Sequence, residues 1–156
     1  MDLTKIKQGA HFTAAEVGPF SQLDQYTFKH PALPRETDGK LFLHELLGLT
    51  GSEISINKMP PKTSMLFYHR HTLNEEIYVF LRGTGEFQID DKVLPIREGT
   101  IVRVAPAGER CWRNTSATED LLYIVIQARA GTYDGQTVED GVAVQKKVSW
   151  VGKAPA

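Results

Sequence analysis

From Leu41 to about Ala130 the chain alternates apolar and polar side chains in short runs: "KLFLHELLGL", "EISINKM", "SMLFYHRH", "EIYVFLRG", "GEFQID", "VLPI", "TIVRVA", "RCWRN" and "LLYIVIQA". A period of two turns one face of each run toward a core, and the β-branched and aromatic content predicts strands. Turn formers separate the runs, among them Thr50-Gly51-Ser52, Pro60-Pro61 and the tight Asp90-Asp91-Lys92 step. The turn signals recur about every 8–12 residues, the spacing of small all-β folds. Short strands with regular turns and no long helical period predict an antiparallel sandwich or barrel.

The flanks have a different texture. Residues 1–40 read as an irregular or extended leading segment that ends in a surface loop, "KHPALPRETDGK". Within it "HFTAAEVGPFSQL" predicts a helical turn or two, ended by Pro19. Residues 131–156 form a polar extension whose last residues, "GKAPA", are expected to fray. This gives three parts: 1–40, a β-barrel over 41–130, and the extension.

Composition narrows the partners. Eighteen Lys and Arg against nineteen Asp and Glu give a net charge of −1. That balance argues against a broad basic face for nucleic acid or for an anionic membrane. The 156 residues suit one domain. Cys111 is the single cysteine, so no intrachain disulfide forms. The N-terminus lacks an apolar stretch of signal-peptide length, and "LLYIVIQA" is too short to span a bilayer. A cytoplasmic protein is the expectation.

Chemistry concentrates in "FYHRHTLNEEIYVFLRGTG", Phe67 to Gly85. On a strand His69 and His71 share a face, roughly 7 Å apart, while Arg70 points the other way. A turn over Thr72 to Asn74 lets the next strand return and bring Glu75 or Glu76 opposite the histidines. Imidazole and carboxylate together suit Fe, Mn, Ni, Cu or Zn better than Ca or Mg. The plainer alternative is a pair of surface histidines with solvated glutamates on a hairpin.

The spacing of His69, His71, Glu76 and Gly83 resembles the first motif of the cupin family, small jelly-roll barrels also called double-stranded β-helix proteins. The motif's opening glycine falls on Thr63 here, and "KMPPKTS" is similar to the proline-containing turn that often precedes the family's histidines. The second motif is matched by Gly99, by Asn114 and by "CWRN" near its end. Counted without gaps, its histidine ligand becomes Arg110, with Ala105 and Ala107 at its proline and glycine positions. A one-residue slide would use Pro106 and Gly108 and put Cys111 at the ligand position. The ungapped count is preferred, because the slide misplaces both Gly99 and Asn114.

The resemblance implies a double-stranded β-helix over residues 41–130 and a divalent transition metal (Fe, Mn, Ni or Zn) on His69, His71 and Glu76. Arg110 leaves the fourth position without a ligand, since a guanidinium has no lone pair to offer. Two outcomes stay open. Arg110 binds an anionic ligand beside a three-ligand metal, or it pairs with Glu76 in a metal-free pocket that takes a carboxylate or phosphate. Alternation aligns Met65 and Phe67 with the histidines, Tyr78 and Phe80 with Glu76, and Trp112 with Arg110. Phe67, Tyr78, Arg110 and Trp112 are therefore the expected ligand-contacting residues of a small-molecule pocket. His44 is read on an apolar strand, as a core or surface residue; His11 and His30 carry no signal. Cys111 reads as a small buried apolar residue.

Two functions compete. One is a metal-dependent oxygenase or isomerase acting on a small polar or anionic molecule. The other is a non-catalytic small-ligand binding or sensing module, favoured by the absence of an appended DNA-binding motif. No further acid–base pair supports epimerase chemistry. A homodimer is expected, with the leading 40 residues as a source of an exchanged strand.

Overall fold

The computed structural model describes residues 5–31 and 36–155. A hairpin of β1 (Lys5–Gly9) and β2 (Phe12–Glu16) leads into a 3-10 helix at Phe20–Gln25. β3 (Thr27–Phe28) pairs with β4 (Thr37–Asp38), and β5 (Lys40–Phe42) precedes one short helix, α1 (His44–Leu47). The strands β6 (Glu53–Met59), β7 (Asn74–Arg82), β8 (Thr84–Ile89), β9 (Lys92–Arg97), β10 (Ile101–Val104), β11 (Arg110–Asn114) and β12 (Leu121–Arg129) follow. They form a five-stranded sheet in the order β10-β7-β12-β6-β5 and a three-stranded sheet in the order β11-β8-β9. All pairs are antiparallel. This is the all-β double-stranded β-helix that the periodicity and the motif resemblance predict.

Side-chain alternation builds the interior. Tyr78 and Phe80 from β7, Phe87 from β8, Trp112 from β11 and Tyr123 and Val125 from β12 meet between the two sheets. Rings of this size fill the lumen of a small barrel. β12 lies at the centre of its sheet and is buried on both faces. Leu121 and Tyr123 face the interior, while Leu122 packs outside with Leu23 and Ile56. The 3-10 helix supplies Leu23, so the leading segment covers the back of the large sheet.

Turns show why certain residues occupy the motif positions. Gly83 joins β7 to β8 at φ +89°, and an added Cβ would stand 2.5 Å from the Asp120 carbonyl oxygen. Only glycine fits both the conformation and the space. The two-residue link between β8 and β9 places Asp90 at φ +49°, a conformation Asp tolerates. Asn114 is buried and donates to the carbonyls of Met59 (3.0 Å) and Glu119 (2.8 Å), tying β11 to the end of β6 and to the segment before β12.

Three local expectations are corrected. Phe12–Glu16 is a strand rather than a helical turn, because pairing with Lys5–Gly9 supplies its hydrogen bonds. Pro19 precedes the 3-10 helix instead of ending one, as its fixed φ and missing N–H allow at a helix start. In "KLFLHELLGL" only Lys40–Phe42 is strand. His44 begins α1, which stops at Gly48 in the left-handed region, and its exposed ring contacts the Ser52 carbonyl oxygen at 3.1 Å. No helix among the described residues is long and apolar enough to cross a membrane.

Candidate metal centre

"SMLFYHRH" does not form a laddered strand, yet it runs beside β11. Met65 N–H donates to the Trp112 carbonyl (3.0 Å), and Asn114 N–H donates to that of Thr63 (2.9 Å). His69 and Arg110 exchange backbone bonds of 3.2 and 3.1 Å. The alternation read from the sequence holds: Met65, Phe67 and His69 are half-buried, while Leu66, Tyr68 and Arg70 are exposed. His71 is anchored by its N–H to the Pro106 carbonyl at 2.9 Å. β7 then returns with Glu76 pointing inward, 4% exposed. Glu75 faces outward and pairs with Arg103, so Glu76 alone of the two meets the histidines.

The donor atoms of His69, His71 and Glu76 lie within 4.8 Å of one another. His71 Nε2 is 3.0 Å from Glu76 Oε1, and His69 Nε2 is 3.7 Å from Oε2. Both His71 Nε2 and His69 Nδ1 are buried and make no well-aligned hydrogen bond, although His71 Nε2 is within ion-pair range of the carboxylate. Buried ring nitrogens are ordinarily satisfied, so such an orphan asks for an occupant. Two imidazoles and one carboxylate form the donor set that suits a transition metal.

Arg110 is fully buried beneath this cluster. Its Nη2 is ion-paired with Glu76 Oε2, and its Nε donates to the Tyr78 hydroxyl oxygen at 3.3 Å. Nη1 donates to the Gly108 carbonyl at 3.0 Å and more weakly to that of His69 at 3.4 Å. The Tyr78 hydroxyl donates to the same Oε2. Burial by itself would raise the Glu76 carboxyl, but bonds from His69, Tyr78 and Arg110, with the Arg110 charge, hold it far below the usual carboxylate range. Burial and the neighbouring carboxylate push the Tyr78 hydroxyl far upward, so it remains a donor. Every nitrogen of the guanidinium is thus engaged by the protein.

The ungapped register therefore places Arg110 inward. Cys111 sits on the opposite face, half-buried, with its sulfur 3.9 Å from Gln88 Oε1. It takes no part in the donor cluster.

Tyr78 and Trp112 belong to the packed floor of the centre. The Trp112 ring stacks on Phe87 at 5.8 Å and meets Tyr78 edge-on at 5.0 Å. Its edge reaches the His69 ring at 5.9 Å, and Phe67 meets that ring at 6.2 Å. A groove of about 420 Å³ lies mainly on the outer face of the three-stranded sheet beside Leu66, Tyr68, Val93 and Cys111. It touches the centre only through its back wall of Met65, Phe67 and Trp112.

The leading segment adds residues that motif spacing does not reveal. The His30 ring packs on Phe67 at 5.6 Å, and Phe28 packs on Phe42 at 4.9 Å. Phe28 and His30 also touch, at 6.1 Å. Nothing in the sequence around His30 signals this, because its neighbours carry no periodic pattern.

Comparison with known proteins agrees with this architecture. The family model for the cupin domain matches residues 56–127. A cupin protein from Bacteroides fragilis is 36% identical, with 76% of this chain and 97% of that one covered, at a TM-score of 0.65. A structure from Acidithiobacillus ferrooxidans described as a "Putative sugar phosphate isomerase" is 27% identical over 58% of each chain, with a TM-score of 0.52. A conserved double-stranded β-helix protein from Klebsiella pneumoniae is 14% identical, covering 70% and 88%, with a TM-score of 0.51, a likeness of fold alone. No curated protein matches the chain.

Proposed function

This chain belongs to the cupin family, and from that premise we propose that its barrel holds one divalent transition metal (Fe, Mn, Ni or Zn) on His69, His71 and Glu76. The metal meets a small polar or anionic molecule there. The observation that carries this reading is the convergence of two imidazoles and one carboxylate with donor atoms within 4.8 Å. A three-residue ligand set leaves positions open for a substrate.

When bound, the metal supplies Lewis-acid polarisation of a coordinated oxygen. The chain's own residues do the positioning. Arg110 and Tyr78 both engage Glu76 Oε2, which fixes the carboxylate plane and turns Oε1 toward His71. Contacts of this kind orient first ligands and tune their basicity. Trp112 and Phe67 hold the His69 ring and keep its surroundings apolar. We infer a metal-dependent oxygenase or isomerase; the likeness to the structure described as a "Putative sugar phosphate isomerase" supports an anionic substrate.

A second reading is favoured by one specific contact. Arg110 satisfies Glu76 directly, so the pocket is electrostatically complete without a metal. On that reading the protein is a non-catalytic small-ligand binding or sensing module. Elemental analysis of the purified protein separates the two. Near-stoichiometric Fe, Mn, Ni or Zn that falls away in His69→Ala supports the metal centre. Protein that stays metal-free after incubation with each of these ions sinks it.

A further inference from the structure

With every nitrogen of Arg110 engaged within the protein, the cation that meets an anionic ligand has to come from elsewhere in the barrel. β5 extends the interior face of the large sheet. The register runs Phe80 opposite Tyr123, Tyr123 opposite Asn57, and Asn57 opposite Lys40, while Phe42 lies opposite Ser55. Lys40 and Phe42 therefore project from the same face as Glu76, Tyr78 and Phe80.

Lys40 Nζ donates to Asn57 Oδ1 at 3.0 Å and lies 4.8 Å from the centre of the Phe42 ring. Asn57 is 2% exposed and held in one orientation, because its Nδ2 donates to the Ser55 carbonyl and hydroxyl oxygens at 3.0 Å. Its oxygen is thereby presented to Lys40. Among the described residues Lys40 forms no ion pair. A half-buried ammonium group met only by an amide oxygen and a ring face is under-compensated, since charges taken from water are ordinarily paired. It has three donors, and Asn57 takes one.

We propose that Lys40, positioned by Asn57 over Phe42, is the anchor for the oxyanion group (a carboxylate or a phosphate) of a small ligand whose other end reaches His69, His71 and Glu76. This rests on the reading of that centre as a ligand site. The rings of Phe42, Phe28, His30 and Phe67 touch in sequence from the Lys40 side to the His69 side, giving a continuous run of aromatic rings between the two ends. Lys40 also shares its field with Glu76 and Glu53, whose charges favour its protonated form while burial lowers its pKa to about 8. An incoming oxyanion acts in the same direction as those carboxylates, and it can approach the amine closely.

The test uses malonate and glycerol phosphate as probes, titrated into the full-length protein by calorimetry at constant ionic strength. Metal content is measured on each sample. At least one probe is expected to bind, with affinity falling tenfold or more in Lys40→Met and Lys40→Gln and largely kept in Lys40→Arg. Preference for malonate or for glycerol phosphate identifies the oxyanion as carboxylate or phosphate. In wild-type protein the bound probe is expected to slow reductive methylation of Lys40, read by peptide mass spectrometry, and this needs no variant. Equal affinity in the neutral variants, unprotected Lys40, or no binding of either probe at tens of millimolar overturns the proposal. Metal content reports independently. Metal-loaded protein indifferent to Lys40 retains the centre and loses the anchor; metal-free protein with Lys40-dependent binding does the reverse.

Discussion

Arg110 and Tyr78 share a single oxygen of Glu76, Oε2, and leave Oε1 facing His71 Nε2 at 3.0 Å. One carboxylate is thus divided unevenly: Oε2 takes the buried cation and the tyrosine and lies 3.7 Å from His69 Nε2, while Oε1 faces His71. The arrangement reconciles an arginine at the expected fourth-ligand position with an intact donor set. Arg110 pairs with Oε2 and leaves Oε1 to His71.

Removing Arg110 should be costly. Arg110→Met leaves Glu76 buried beside its hydrogen-bonded tyrosine and without its counter-charge, and breaking such a pair costs roughly 3–5 kcal/mol. The double variant Arg110→Met, Glu76→Gln should lose less than the sum of its single variants, because no charge is stranded. Urea unfolding of the four proteins checks this, and strict additivity would contradict the coupling.

Metal should couple to stability. An ion that binds the native state alone, present at a hundred times its Kd, stabilises by about 2.7 kcal/mol. For a chain of this size that corresponds to roughly 5–11 °C in Tm. Chelation should lower Tm by this order in wild-type protein and leave His71→Ala and Glu76→Gln unchanged. Thermal scans before and after dialysis against a chelator, with metal added back, measure it.

Lys40 predicts a stability change with alkaline pH. Burial lowers its folded pKa to about 8, opposed by the charges of Glu76 and Glu53. The unfolded value is near 10.4. Between these values the unfolded chain holds a proton that the folded chain has released, so stability rises with pH across the window. Above about pH 10 the buried Tyr78 and Tyr123, both raised, act in the opposite direction. Lys40→Met should flatten the rise between pH 8 and 10, as read by denaturant midpoints at half-unit steps. An equal slope in both proteins would refute the assignment.

Two glycines with similar φ should respond differently to substitution. Gly83→Ala combines φ +89° with a Cβ only 2.5 Å from the Asp120 carbonyl oxygen. Gly99→Ala has φ +82° with open space around the added methyl. The second should cost about 1 kcal/mol, the ordinary left-handed penalty, and the first should cost clearly more. Equal losses in denaturant unfolding would show that the contact with residue 120 relaxes freely.

Much of the centre was legible before any coordinates. The inward set Met65, Phe67 and His69 and the outward set Leu66, Tyr68 and Arg70 follow from alternation, although their segment lacks a regular ladder. Arg110, Trp112 and Asn114 share the buried face for the same reason. The phase of Lys40 with Phe42 was readable too, yet nothing local marked that pair as facing the centre. The expectation of a helix near Phe12 failed because local composition says nothing about the strand it pairs with.

The sequence alone determined most of the barrel strands, the face their side chains take and the spacing that assembles His69, His71 and Glu76. These depend on backbone geometry over a few residues, where a period of two is imposed by the peptide chain itself. Only the tertiary structure decided that Arg110 closes on Glu76, that Lys40 enters the same interior, and that His30 reaches Phe67. Those meetings join residues far apart in the chain, and they follow from sheet register and barrel closure, which leave no mark in any short stretch of sequence.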